Sequence, residues 1–355
     1  MKNKVVVFTG VQKIEFREEE IPEVLPAGAV LVKTEYTFIS AGTELSNLTG
    51  KEKQVFIPGS WCAYPWKPGY AQVGRVVAVA ETTPPSGHPS AGGEWKVGDR
   101  VFTFANHAAY TVRTREDFLI RIPDALDSVT AVATRMAAVA ASGLVTFVPE
   151  WHSPGWVAVF GLGTVGNLAA QCYKAVGARV IGIDPVEHRR TLAKTCGIEH
   201  VIAGGENVLQ DIQAITGGER PRVVVEATGV PKVAVDAISL VREHGDVVLV
   251  GSPRGDFETS ATDLLAQIHY RNLKVHGALE WSLPRDQPEG FNNPSAVPVN
   301  NVHDKIKMLF DWVLEGRLKV APIVSHIVKA DDIAKGYEGL LKQPEMYTGV
   351  AVEWN

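Results

Sequence analysis

Only three cysteines, Cys62, Cys172 and Cys196, occur in 355 residues, and no two form a Cys-x-x-Cys pair. That excludes a disulfide framework and makes a reducing, cytoplasmic setting the expectation. A large excess of one charge is missing too, with 35 Lys and Arg against 40 Asp and Glu. The formal net charge of -5 leaves no electrostatic footprint for nucleic acid or an anionic membrane. Long apolar runs are missing. The most apolar helix-like stretch, "TAVATRMAAVAASGLVTFV", is Ala-rich and interrupted by Arg135, which suits a buried helix better than a membrane span. The apolar run in "MKNKVVVFTG" is too short for a signal peptide. No solenoid repeat or low-complexity tail is present. With 45% hydrophobic and 21% charged residues, the chain reads as an ordinary globular protein of two-domain length.

The strongest positive signal is "GWVAVFGLGTVGNLAAQCYKAVGARVIGID", residues 155–184. A short apolar strand runs into Gly161-Leu162-Gly163-Thr164-Val165-Gly166, an apolar helix pattern follows, and a second strand ends in Asp184. This is a dinucleotide fingerprint in its required strand–turn–helix–strand context. Gly161 permits the turn, Gly163 lets a pyrophosphate approach, and Gly166 lets the helix pack on the strand. The helix N-terminus offers N–H groups and the positive end of its dipole to the phosphates. Asp184 can accept from both ribose hydroxyls and would repel a 2′-phosphate, so NAD is expected over NADP. Arg189 is expected beside the adenosine ribose, although Arg189 and Arg190 are the residues that could instead accommodate a phosphate.

Strands and helices continue to alternate through "PRVVVEATG", "KVAVDAISLVREHG", "DVVLVG" and "LKVHGAL". Such alternation predicts an α/β fold with a doubly wound parallel sheet. The loops at Thr228-Gly229 and Gly251-Ser252 fall at its carboxyl edge, where these sheets bind ligands. Residues 1–145 have another texture: short strand runs broken by Gly, Pro and Asp, an all-β barrel-like pattern. Residues 146–280 are read as the nucleotide domain, inserted between 1–145 and a returning tail, 281–355. Two densely punctuated stretches, 81–99 and 284–301, read as loops.

The motifs "GTE" (42–44), "PGYAQVGRVV" (68–77), "GDRV" (98–101), "VAVFGLGTVG" (157–166), "VVVEATG" (223–229) and "GRLKVAPIVSHIV" (316–328) resemble the medium-chain dehydrogenase/reductase superfamily, over essentially the whole chain. The resemblance implies a GroES-like β-barrel domain, a Rossmann domain, a cofactor in the cleft between them, and a homodimer joined at the sheet edge carrying "LKVHGAL".

In the zinc-bearing branch the first motif reads Cys-Gly-Thr-Asp and the second Gly-His-Glu-x-x-Gly. Laid on this sequence, the cysteine column holds Ala41 and the His-Glu pair holds Tyr70 and Ala71. The stretch 137–146 supplies no Cys, His, Asp or Glu. A catalytic zinc needs three protein donors, so a metal-free enzyme is expected. Cys62 and His107 would be the suspect ligands were zinc present. Tyr70 is the expected hydrogen-bond donor to the reacting oxygen, Thr43 occupies the proton-relay column, and Glu44 either orients the site from behind or, the favoured reading, is a purely structural hydrogen-bonding residue. Tyr70 has an ordinary pKa of about 10, so a positive neighbour is needed if it is to act as a base; the nicotinamide ring and Lys67 are the expected sources. The distal relay histidine falls on Ser46, which leaves the proton wire open. For Tyr70, a packed barrel tyrosine is the competing reading. His107 and His152 are read as ordinary surface or loop histidines.

The aromatic stretch "FIPGSWCAYPWKPGY" (56–70) nominates Trp61, Tyr64 and Trp66 as substrate-binding residues, with Trp281 from "LEWSLPRDQPEGF". Aromatic faces with polar edges suit a sugar or cyclitol, and equally an aromatic alcohol; the competing reading is that the rings simply form core and dimer contacts. Three functions stay open: an NAD-dependent alcohol or polyol dehydrogenase, an NAD(P)H-dependent enoyl or quinone reductase, and a non-catalytic dinucleotide-binding protein.

Overall fold

The computed structural model describes residues 1–80, 95–146, 155–286 and 300–354. Most of the two punctuated stretches, and His152, lie outside the described residues. The chain divides into two compact units, the first formed by Met1–Arg135, Arg285–Phe310 and Val324–Asn355, the second by Met136–Pro284 and Asp311–Ile323.

Among the described residues, the second unit holds six parallel strands in the order His200–Ile202, Arg179–Ile183, Trp156–Phe160, Val223–Glu226, Asp246–Leu249 and Lys274–Gly277. The order reverses between Trp156–Phe160 and Val223–Glu226, so a ligand crevice opens outside the carboxyl ends of these two strands. Val157, Ala158, Val159, Val224 and Val225 are completely buried, as a sheet covered by helices on both faces requires. The helix after Val223–Glu226 spans Pro231–Leu240, shorter than its apolar pattern. It stops because Val241 turns extended, and the guanidiniums of Arg220 and Arg271 take up carbonyls of its last turn. Residues 311–323 belong to this unit although the sequence pattern groups them with the tail. Lys319 N–H donates to Gln171 Oε1 (2.7 Å), and Arg317 donates to the Ala175 carbonyl (2.7 Å).

The first unit is built on a largely antiparallel sheet. Its path is Val324–Lys329, Gly349–Glu353, Val30–Phe38, Gln72–Val79, Arg100–Thr103 and Leu119–Arg121, with Tyr110–Arg113 pairing back onto Val30–Phe38 and a Lys2–Gly10/Lys13–Glu20 hairpin beside it. Val30, Val32, Val76 and Val101 fill one core; Val6, Phe8, Ile39, Tyr337, Val350 and Trp354 fill another. Two helices interrupt the β pattern read from the sequence. Ser128–Ala140 is the expected buried helix, and Ala41–Leu48 lies on the "GTE" motif. Among the described residues no helix is long and apolar enough to cross a membrane.

Candidate active site

The glycine turn of the second unit has the geometry a pyrophosphate requires. Gly161 sits at φ +86°, a conformation that side chains disfavour. A Cβ at Gly166 would lie 1.7 Å from the Gly161 carbonyl oxygen, so the helix Thr164–Ala175 approaches the turn as closely as glycine allows. A Cβ at Gly163 would meet nothing within 4 Å. That open space beside a helix N-terminus is where a phosphate fits. Asp184, buried at 1% exposure, braces this turn from below. Its carboxylate accepts from Leu162 N–H and Val186 N–H, each at 2.8 Å, and Arg189 stands 3.5 Å away. Each carboxylate oxygen has a further lone pair, so ribose recognition remains compatible with both bonds. Arg190 donates to the carbonyls of Asp184 and Pro185 at 2.8 Å.

Glu226 is a site residue the sequence reading missed. It is completely buried at the end of its strand and accepts from Thr228 N–H (2.6 Å), the Thr228 hydroxyl and Gly229 N–H (3.1 Å). The Thr228-Gly229 turn is thereby fixed next to Gly161, since a Cβ on Gly161 would touch Thr228 Cγ2 at 2.8 Å. Burial pushes the Glu226 carboxyl above its usual range, against the pull of these bonds. Its only signal was an acidic residue closing the apolar run "VVVE". Gly251 is half-buried and Ser252 exposed in the adjoining loop.

In the first unit, Tyr70 and Thr43 come together as the sequence reading expects. The Tyr70 hydroxyl shares a short hydrogen bond with Ser40 Oγ, and the Thr43 side chain lies close enough to help lower the phenol pKa, so hydroxyls gather at the start of the Ala41–Leu48 helix. Burial pushes the Tyr70 phenol above its ordinary value, while Arg135 and the Ser40 and Thr43 hydroxyls pull it down. Lys67 is not its neighbour. That side chain pairs with Glu19 at 2.6 Å, and the cation beside Tyr70 is Arg135, whose guanidinium carbon lies 4.8 Å from the ring centroid. Ser46 Oγ is buried and has no hydrogen-bond partner among the described residues.

Behind these hydroxyls lies a buried polar cluster that corrects the reading of His107. It lies in the loop between Arg100–Thr103 and Tyr110–Arg113 as read, yet it is completely buried rather than at the surface: Nε2 contacts Glu44 Oε2 at 3.0 Å and Nδ1 contacts Thr37 Oγ1 at 2.6 Å. Glu44, also completely buried, accepts from Tyr337 OH at 2.5 Å and from Ser40 N–H at 2.8 Å. Trp354 Nε1–H closes the network on Thr37 Oγ1 at 2.9 Å. Glu44 therefore fixes the residue that holds Tyr70. Glu44→Ala would leave three buried groups unpaired, each costing about 1–3 kcal/mol. The expected loss in urea unfolding is at least about 2 kcal/mol, with a smaller loss for Glu44→Gln; a loss under about 0.5 kcal/mol would remove Glu44 from the framework.

The aromatic residues divide. Tyr64 turns its hydroxyl onto the Asn47 carbonyl, and the Trp66 backbone pairs with Phe8 in both directions (2.8 and 2.9 Å), so both pack against the barrel core. Trp61 packs edge-on against Trp66 at 5.9 Å yet stays 55% exposed, and Trp281, in the other unit, is 63% exposed. Among the described residues no three His, Cys, Asp or Glu side chains group as metal ligands. Ala41 and Ala71 carry no metal-binding side-chain atom and Tyr70 offers only a phenol, and among the described residues Cys62 and His107 are not part of any such group.

Residues 164–291 match the family model for zinc-binding dehydrogenases. An alcohol dehydrogenase of Geobacillus stearothermophilus is 28% identical over 281 residues, 68% of this chain and 75% of that protein. In architecture the chain is similar to 2R,3R-butanediol dehydrogenase from Bacillus subtilis, with TM-score 0.77 and 21% identity over 99% of this chain and 100% of that one. It is also similar to galactitol-1-phosphate dehydrogenase from Escherichia coli, with TM-score 0.76 and 19% identity over 99% of each. The chain is an oxidoreductase that resembles, in sequence and in fold, the alcohol dehydrogenases of the medium-chain dehydrogenase/reductase superfamily. The matched stretch 164–291 contains neither Ala41 nor Tyr70, so the family description carries no zinc ligand to those columns.

Proposed function

We propose that this protein is an NAD-dependent dehydrogenase that oxidises a secondary alcohol, a polyol, sugar or cyclitol by preference, without a catalytic metal. The observation that carries the reading is the Tyr70–Ser40 hydroxyl pair with Thr43 beside it, at a column where the sequence resemblance implies a ligand in the zinc branch. Bound nicotinamide supplies the hydride acceptor for the carbinol hydrogen. The Gly161–Gly166 turn and the Thr164 helix N-terminus hold its pyrophosphate, Asp184 the adenosine ribose with Arg189 alongside, and the loops at Thr228-Gly229 and Gly251-Ser252 border it. Tyr70 and Thr43 are the catalytic hydroxyls: Tyr70 takes the substrate hydroxyl proton in oxidation, or gives it to a carbonyl oxygen in the reverse direction. Trp61 and Trp281 are the exposed rings available to a substrate. The edge strand Lys274–Gly277, with Val275 41% exposed and Leu279 just beyond its end 63% exposed, suits a homodimer contact, and three buried free cysteines suit a reducing cytoplasm.

Two assays test this. Titration of intrinsic fluorescence should give tighter binding of NADH than NADPH, because the Asp184 carboxylate opposes a 2′-phosphate. A coupled absorbance screen should give turnover of polyols, sugars or cyclitols with NAD⁺. Turnover confined to enones or quinones with NADPH would replace the proposal with a double-bond reductase. Binding without any turnover would indicate a non-catalytic dinucleotide sensor.

A further inference from the structure

Arg135 is the anomaly of the first unit. It interrupts an apolar helix and is 1% exposed, one of the largest fully buried side chains in the chain. An arginine cannot shed its charge, so burying one is costly unless its surroundings compensate. The compensation here includes two aromatic faces. The guanidinium lies 4.2 Å from the Phe104 centroid and 4.8 Å from that of Tyr70, and Nε donates to the Tyr70 carbonyl at 3.3 Å. Phe104 is itself held by stacking on Phe118 at 4.4 Å. The same side chain therefore grips Tyr70 at backbone and ring.

We propose that Arg135 is the positioning residue of this site: it locks the Tyr70 ring and supplies the fixed positive charge that replaces Lewis-acid assistance beside the phenol. The inference rests on the reading of Tyr70 as the proton-transfer group. The charged and titratable groups around Tyr70 are Arg135 from the Ser128–Ala140 helix and Glu44 from the Ala41–Leu48 helix, with His107 and Tyr337 bonded to Glu44 on its far side. Arg135 favours the phenolate and Glu44 disfavours it. Burial is the largest influence and raises the phenol pKa, and Arg135 is the largest one opposing it. Cation and ring face also attract directly.

The test places difluorotyrosine at position 70, whose lowered phenol pKa brings titration into the range of protein stability, and follows its ¹⁹F resonance against pH. Arg135→Met should move the midpoint to higher pH, and Arg135→Lys should move it less. In unlabelled enzyme, Arg135→Met should lower kcat for alcohol oxidation at neutral pH about tenfold or more with little change in KM, and the loss should shrink as pH rises. Thermal melts identify any variant that fails to fold, and the lysine variant then carries the comparison. An unmoved ¹⁹F midpoint in folded Arg135→Met would overturn the inference. If the midpoint moves while Tyr70→Phe keeps full activity, the Arg135 coupling stands and the catalytic reading of Tyr70 falls.

Discussion

Tyr70→Phe should lower kcat/KM for alcohol oxidation by at least about 10²-fold, the usual yield of one general acid–base group. Fold and nucleotide binding should hardly change. The phenol bonds the Ser40 hydroxyl, a rotor that can turn to another partner when the phenol oxygen is removed. The pH profile separates catalysis from packing. Burial holds the phenol above its ordinary value, so the wild-type enzyme carries the neutral, donating form at neutral pH. Carbonyl reduction should accordingly be favoured near neutrality, and alcohol oxidation should rise as pH climbs toward the phenol's range. Tyr70→Phe should flatten that rise. A Tyr70→Phe enzyme with wild-type rates and profile would mean Tyr70 is only a barrel tyrosine, and Thr43→Ala would then be the variant to examine.

Gly166→Ala should abolish NADH binding and lower stability together, whereas Gly163→Ala should weaken binding alone. The added methyl at 166 would sit 1.7 Å from a backbone oxygen, so the turn or the helix must move. At 163 the methyl meets no protein atom within 4 Å, and the backbone there is extended at φ −64°, which any residue tolerates. The methyl would nonetheless occupy the approach of the phosphate. A binding loss of at least about 100-fold, or about 2.7 kcal/mol, is expected for Gly166→Ala. Fluorescence titration and thermal melts read the two quantities separately. Unchanged affinity in folded Gly163→Ala would show that the phosphate does not approach this turn.

The nucleotide-binding half was legible because its determinants are local. The fingerprint, its helix and Asp184 lie within 30 residues, and each glycine answers to a contact inside that span. Strand periodicity likewise anticipated Trp156–Phe160 and Arg179–Ile183. The other site was only half legible. The helix Ala41–Leu48 contains Gly42 and Thr43, poor helix formers, and persists through the Glu44 bond to Ser40 and packing against Ile333–Lys342. His107 stands 63 residues from Glu44, and Tyr337 stands 293 away. No spacing rule joins residues that meet only through the barrel's topology. Arg135 looked like an interruption in an apolar helix; its meaning appears only beside the faces of Tyr70 and Phe104.

The most direct test of the account is turnover of a secondary-alcohol panel with NAD⁺ on protein whose metal content is measured in the same sample. Metal-free chemistry predicts zinc far below one per chain and rates indifferent to chelator and to added zinc. Near-stoichiometric zinc, with activity lost to chelator and restored by the metal, would contradict it and return Cys62 and His107 to consideration as ligands.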